Sequence, residues 1–547
     1  MTELARRTPW AAGLAVLVLT VPACSGGGDG DGDGNKGDGK PKTFTVANQE
    51  PTHLAPGAAN DSYSIHVVNA LFDRLTKINS AGKVVNEQAA SITSTDQKKW
   101  TIKVKPGLTF HNGEPVTAQS YVDAWNTAAY GPNGWENNYY FGNIKGYDAL
   151  NPEDPDGDEG PKKAPKPKTD KLSGLKVVDG QTFEVTLTGS FSQFPLTLAF
   201  TGFAPMPKGA AADLKAFDQR PIGTGPFMLT GSGWEHNKQI TLKKFAGYKG
   251  GRPAHADGMT FKIYASRDTA YTDLVAGRVD ILETIPPAKI SEAKRLLGDR
   301  FVATPSGTMD YLEFPLYDKR FRNRDLRYAI SMAINRQAIV ETVFNNAFNP
   351  TGSIVSPIVP GYRPNACGTP CTYLPRHAKD YFDKAGGFSG TLELWFSNAD
   401  PSYEQWMTDV ANQLKQNLGI KDIKFRKIPV ADYLSNLSDH KATGPYRANW
   451  VMDYPSAENY LTTRCGDANR MSYDGEACMD LVTKGNRADS IEESVRFYQR
   501  AEQTLLKDLP ATPLWNWQNQ QGYSKRVGNV RFDPYENSAH YDQVTVK

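Results

Sequence analysis

The side chains best equipped for chemistry here are the five cysteines and eight histidines, and their spacing argues against a reaction centre. Cys367 and Cys371 form one close pair and Cys465 and Cys478 another. Neither spacing is C-x-x-C and no histidine lies close to either pair, so the usual pattern of a zinc site is missing. An even set of cysteines in an exported chain points instead to disulfides, and proximity favours Cys367–Cys371 and Cys465–Cys478. Such bridges staple loops and do no chemistry. The histidines, at 53, 66, 111, 236, 255, 377, 440 and 540, are scattered singly. There is no G-x-S-x-G elbow, H-E-x-x-H, P-loop or dinucleotide fingerprint. A triad assembled in space needs no local motif, so these absences lower the case for an enzyme without removing it. The expectation is a non-enzyme with no cofactor and no metal.

The fifth cysteine, Cys24, has a different setting. Arg6 and Arg7 precede an uncharged apolar stretch, Trp10–Thr20, which ends in Val21-Pro22-Ala23-Cys24. The stretch is short for a membrane span and has the layout of a cleavable signal. A small residue followed by cysteine resembles the lipobox of bacterial lipoproteins, although Pro22 is unusual there. The alternative is an ordinary signal with Cys24 incidental; the Arg6-Arg7 pair leaves Sec and twin-arginine export both open. Ser25–Lys40 is almost entirely Gly and Asp. It cannot bury surface to offset its ordering entropy and reads as a solvated spacer. Residues 1–23 are therefore expected to be a signal peptide and 24–41 a lipid-anchored linker. Its DGDGDG run lacks the spaced Glu of a calcium loop.

The remaining body is long enough for two or three domains. With 11% aromatic and 22% charged residues it has an ordinary globular composition, and a net charge of +2 gives no reason to expect nucleic acid. Short strands and helices alternate. Trp100, Ile102 and Val104 read as a half-buried strand. Pro106-Gly107 and His111-Asn112-Gly113 are turns, and Thr117 caps a helix carrying Tyr121, Val122 and Trp125. Further strands are read at Phe183–Leu187, Ile240–Leu242, Phe261–Ile263 and Leu392–Phe396. Helical spacing is clearest at Leu326, Ile330, Ala333 and Ile334, and over Glu404–Leu418. The fold class is α/β. Asn151–Lys171 reads as an exposed insertion, and Ser353–Tyr373 as a surface loop closed by Cys367–Cys371.

Six segments, in order, carry a resemblance. They are WTIKVKPGLTFHNGEPVTAQSYVDAWN (100–126), PIGTGPF (221–227), KKFAGYKGGRP (243–253), DLVAGRVDI (273–281), the stretch 323–343, and WVMDYPSAENYL (450–461). On these the chain is identified as a member of the extracytoplasmic solute-binding proteins of the oligopeptide/dipeptide type (family 5), which serve ABC importers. The resemblance implies a two-lobed periplasmic-binding-protein-like fold (class II, cluster C) with an extra domain in the first lobe. Lobe I would comprise 42–86, 206–304 and 519–547, the extra domain 87–205, and lobe II 305–518. The chain would cross between lobes near Pro305 and Asn519, a two-strand hinge suited to closure.

The resemblance also implies a site. A cleft that captures peptides must neutralise an α-ammonium, best done by a carboxylate through a charge-assisted hydrogen bond; that role corresponds to Asp453. Arg447 stands where some members meet the ligand carboxylate, and Trp450 would form a cleft wall. Glu50 lies in a segment that offers backbone to an extended ligand. Phe141 lies in NNYYFGNI, which supplies an aromatic over the ligand, and Tyr311 lies near the hinge. Departures are Ala55 in the usual L-D-P, Asn335 for the Asp of A-I-D-R, and Glu458 close to the ammonium site, which bears on the ligand's charge. The implied function is a monomeric lipoprotein on the outer face of a bacterial cell membrane. It would capture a short peptide and deliver it to an ABC permease and ATPase complex. A non-peptide solute (nickel chelate, haem or sugar) and a surface sensor without transport are the alternatives.

Overall fold

The computed structural model describes residues 41–155, 163–467 and 469–547. The expectations for residues 1–40, Cys24 included, lie outside these, as does the centre of the 151–171 insertion.

Local chemistry accounts for the elements around the site. Trp100, Ile102 and Val104 turn into the core from strand Lys99–Val104. Gly107 and Gly113 take φ of +79° and +86°, which glycine adopts without a Cβ penalty. Thr117 caps helix Ala118–Ala129 by accepting from the Ser120 N–H, and the Ser120 side chain reaches back to the Thr117 N–H. Tyr121 and Trp125 of that helix pack fully buried against Phe183 of strand Thr182–Thr186. A four-stranded antiparallel sheet results, ordered Ala89–Ser94, Lys99–Val104, Thr182–Thr186, Leu175–Val177. It lies within the segment 87–205 expected as an extra domain.

A separate eleven-stranded sheet is organised by two antiparallel 13-residue strands, Phe301–Glu313 and Ala511–Tyr523. Their near ends, Phe301–Pro305 against Gln518–Gly522, continue into strands Ile281–Leu282, Thr43–Asn48, Gly258–Ile263, Gln239–Lys244 and Phe227–Glu235. Their far ends, Met309–Glu313 against Ala511–Asn516, are flanked by Tyr446–Val451, Leu392–Ser397 and Ile423–Ile428. The pairing loses register between Pro305 and Met309. Each half of the sheet therefore belongs to one lobe, and the two long strands join them.

One buried core unites Phe44, Phe72 and Phe261 with Trp125 and Phe183. Another lies wholly on the far side, around Tyr311, Tyr446, Tyr460 and Tyr498. A third crosses the junction, setting Leu274 and Leu297 in one cluster with Leu312, Trp406 and Trp515. Of the Leu326–Ile334 pattern, Leu326 and Ile330 lie on one helix, and Ala333 and Ile334 lie in the link to the next. Arg324–Met332 stops at Ala333, because Asn335 caps Arg336–Phe344 by accepting from the Ala338 N–H. Glycines of PIGTGPF allow a close approach: a Cβ on Gly223 would stand 2.0 Å from the Leu71 carbonyl oxygen, at the end of helix Ser62–Leu71. Cys367 is bonded to Cys371, and Cys465 to Cys478.

Candidate functional site

Between the lobes lies a cavity of about 400 Å³. The far lobe supplies Val451–Pro455, the segment between strand Tyr446–Val451 and helix Ala457–Cys465. Facing it are Asn69 and Arg74 of the near lobe, Tyr139, Tyr140 and Phe200 beside the four-stranded sheet, and the C-terminal turn Asp533–Asn537.

Asp453 stands at the far lip, and the chain around it is built to hold its carboxylate still. Ser456 starts the helix by accepting from the Glu458 N–H, which places Asn459 in the first turn. Asn459 then serves three groups: its Oδ1 accepts from the Asp453 N–H at 3.0 Å and from Trp450 Nε1 at 2.8 Å, and its Nδ2 donates to Asp453 Oδ2 at 2.9 Å. The other carboxylate oxygen accepts from the Tyr139 and Tyr140 hydroxyls, both at 3.2 Å. These rings form a ladder, Tyr139 on Tyr140 at 4.3 Å and Tyr140 on Phe200 at 4.0 Å. Burial, with the charge of Asp453 behind it, pushes both phenols well above their ordinary range, so both remain donors. Asp453 thus bridges the lobes through hydroxyls, which are exchangeable partners for a ligand cation.

Deeper in, Arg74 pairs with Glu536 and lies 3.9 Å from Glu87. Burial alone would lower the Arg74 pKa; the charges of Glu536 and Glu87 outweigh it and raise it. Burial, reinforced by Glu536, pushes the Asp533 carboxyl up to about 6. Among the described residues lining the cavity, Arg74 is the one base against Asp453, Asp533 and Glu536. Among the described residues, no cluster of His, Cys, Asp and Glu could hold a metal, and no helix is long and apolar enough to cross a membrane.

The sequence pattern of bacterial extracellular solute-binding proteins, family 5 Middle, matches residues 83–472. The chain belongs to this family. It is 26% identical over 524 residues to the oligopeptide-binding protein OppA of Bacillus subtilis, covering 92% of each chain. It is 23% identical over 488 residues to the periplasmic murein peptide-binding protein MppA of Escherichia coli, covering 86% of each. Among solved structures, the unliganded open form of MppA superposes with a TM-score of 0.81 at 21% identity, over 93% of this chain and 98% of that one. The Haemophilus influenzae OppA complex with RPPGFSPFR gives 0.66 at 20% identity, over 93% and 99%. The fold is the two-lobed one of this family.

Of the six residues expected to touch ligand in this family member, Asp453 lines the cavity and five do not. Trp450 lies behind Asp453, tied to Asn459. Arg447 is buried, ion-paired with Asp310 at 2.7 Å and set over the Tyr403 ring at 3.8 Å. Asp310 also accepts from the indoles of Trp515 and Trp517, so Arg447 completes a cluster around that carboxylate. Glu50 is consumed by the turn at His236, accepting from Trp234 Nε1, His236 Nδ1 and the Asn237 N–H. Phe141 packs fully buried between Trp125 and Phe203, because the 3₁₀ turn Glu136–Phe141 gives the cavity to its two neighbours. Tyr311 is fully buried, donating to the Ile354 carbonyl at 2.6 Å beneath the Arg464 guanidinium. Sequence reasoning passed over Tyr139, Tyr140, Asn459, Arg74 and Glu536. The doubled tyrosine beside Phe141, and an Asn three places after a capping Ser, were the available signals. Nothing local joins Arg74 to Glu536, 462 positions away.

Proposed function

We propose that this protein captures short peptides outside the cell by closing its lobes over them, and hands them to an ABC permease and ATPase complex. Cys24 carries the lipid that holds it at the outer face of the membrane, and it works as a monomer and as a binder, without catalysis. The observation that carries the reading is Asp453: a carboxylate fixed on three sides at the mouth of an interlobe cavity, with hydroxyls where an α-ammonium would dock. Relatives named for oligopeptides and murein peptides support a peptidic ligand. The register break at Pro305–Met309 supports bending at the two long strands.

A second reading keeps the transport role for a non-peptide cation. The excess of Asp453, Asp533 and Glu536 over Arg74 favours it. Mass spectrometry of what copurifies with the folded protein separates the two. Peptides recovered at near-stoichiometric amounts support the first reading, and a non-peptide amine in their place defeats it.

A further inference from the structure

A second cavity, larger than the first at about 720 Å³, opens between the same two lobes. Its position follows from the fold. The hairpin Thr76–Ile78/Val84–Asn86 gives Ile78 to the first cavity and Ala81, Gly82 and Val84 to the second. Leu196, in the short helix Phe194–Thr197, lines both. Tyr535 lines the first cavity, crosses to the far lobe by donating to the Ile358 carbonyl at 3.1 Å, and sets its hydroxyl against Gly82. One side chain and one hairpin therefore separate the two spaces.

The second cavity lies beside a hydrogen-bonded seam between the lobes. Ser192 donates its N–H to the Asn486 carbonyl at 2.8 Å, and its buried hydroxyl meets Ser494 Oγ at 2.8 Å and the Gly485 carbonyl at 3.0 Å. These bonds join the two lobes directly beside this space. Its walls offer apolar area from both sides, Val84, Ile92 and Leu196 facing Ile491 and Val495, while Lys83, Asp489 and Glu492 stand exposed at the rim. Its volume lies well within the ~300–1,000 Å³ usual for ligand sites, whereas the first cavity lies near the low end.

We infer that the second cavity is the distal subsite of the same cleft. It takes an apolar side chain from the C-terminal part of a peptide whose N-terminus is at Asp453. This rests on the peptide reading. Extended chain advances about 3.3 Å per residue, so a tripeptide is held within the first cavity and a longer peptide passes Leu196 into the second.

The test compares, by calorimetry on the purified chain, a nonapeptide with apolar residues in its C-terminal half and its own N-terminal tripeptide. Wild type should bind the nonapeptide at least tenfold more tightly. Val84→Trp, filling the space from the near lobe, and Val495→Trp, filling it from the far lobe, should each abolish that advantage and leave tripeptide affinity unchanged. An advantage that survives both fillings overturns the inference, as does a parallel loss for both peptides. Failure of wild type to bind either peptide defeats the peptide reading itself, a result distinct from these.

Discussion

Replacing Asp453 by Asn is the sharpest probe of the site, because it removes the charge and keeps the shape. In the native arrangement Oδ2 accepts from Asn459 Nδ2 and Oδ1 accepts from two tyrosine hydroxyls. An Asn amide can keep its oxygen toward Asn459 and turn its nitrogen toward the tyrosines, whose hydroxyls accept as readily as they donate. The lobes and the local fold should therefore survive. What is lost is the charge-assisted bond to a ligand ammonium, worth about 1.5–3 kcal/mol. At about 1.4 kcal/mol per tenfold, that is a weakening of roughly 10- to 150-fold. The assay is a double-mutant cycle by calorimetry, with wild type and Asp453→Asn each titrated with a tripeptide and with its Nα-acetylated form. Acetylation removes the ammonium, so the two changes should be strongly non-additive, the second costing little once the first is made. Penalties that add to within about 0.5 kcal/mol would show that Asp453 and the ammonium do not meet, and the reasoning would fall.

Asn459→Ala should weaken the same tripeptide about tenfold, since it frees the carboxylate and orphans the Trp450 indole; unchanged affinity would remove Asn459 from the positioning of Asp453. His111 is half-buried as the neutral ring, Nε2–H donating to the Gly225 carbonyl and Nδ1 accepting from the Gly223 N–H, both at 3.1 Å. Burial pushes its pKa down to about 4 from 6.5. Between those values the unfolded chain binds more protons than the folded one, so this stabilisation is full above pH 6.5 and is lost as pH falls toward 4. The loss is on the order of 3 kcal/mol. Thermal melts should show His111→Gln with a flatter pH response than wild type across that window, and equal slopes would contradict the assignment. Breaking Cys465–Cys478, separated by 13 residues, should cost about 3 kcal/mol, and breaking Cys367–Cys371, separated by 4, about 2 kcal/mol. Paired alanine substitutions read by denaturant titration should keep that order, and a reversed order would refute the loop-length argument.

The legibility of this protein in its sequence divides along the range of the interactions. Strand Lys99–Val104, the Thr117 cap and the burial of Tyr121 and Trp125 rest on neighbours within a few residues, and the periodicity showed them. The two-lobed architecture was legible through six short segments acting together. Within the site, position along the chain was a weaker guide than geometry. Phe141 and the Tyr139–Tyr140 pair are adjacent, yet a 3₁₀ turn sends one into the core and the other two into the cavity. Arg447 carries the right charge in the right strand, but Asp310 on the neighbouring strand claims it, a pairing visible only once register is known. The Arg74–Glu536 pair depends on the turn between Asp533 and Ser538 folding back onto the first lobe.

The junction between the lobes has a mechanical consequence. Because Phe301–Glu313 and Ala511–Tyr523 run through it unbroken, any rotation of one lobe on the other must wring a two-stranded ribbon. Ribbons of this kind tolerate a wide range of twist. With the register break at its midpoint, such a ribbon is a torsion bar with a compliant section in the middle. A machine coupled to it would need to measure one angle and nothing of the cargo's chemistry.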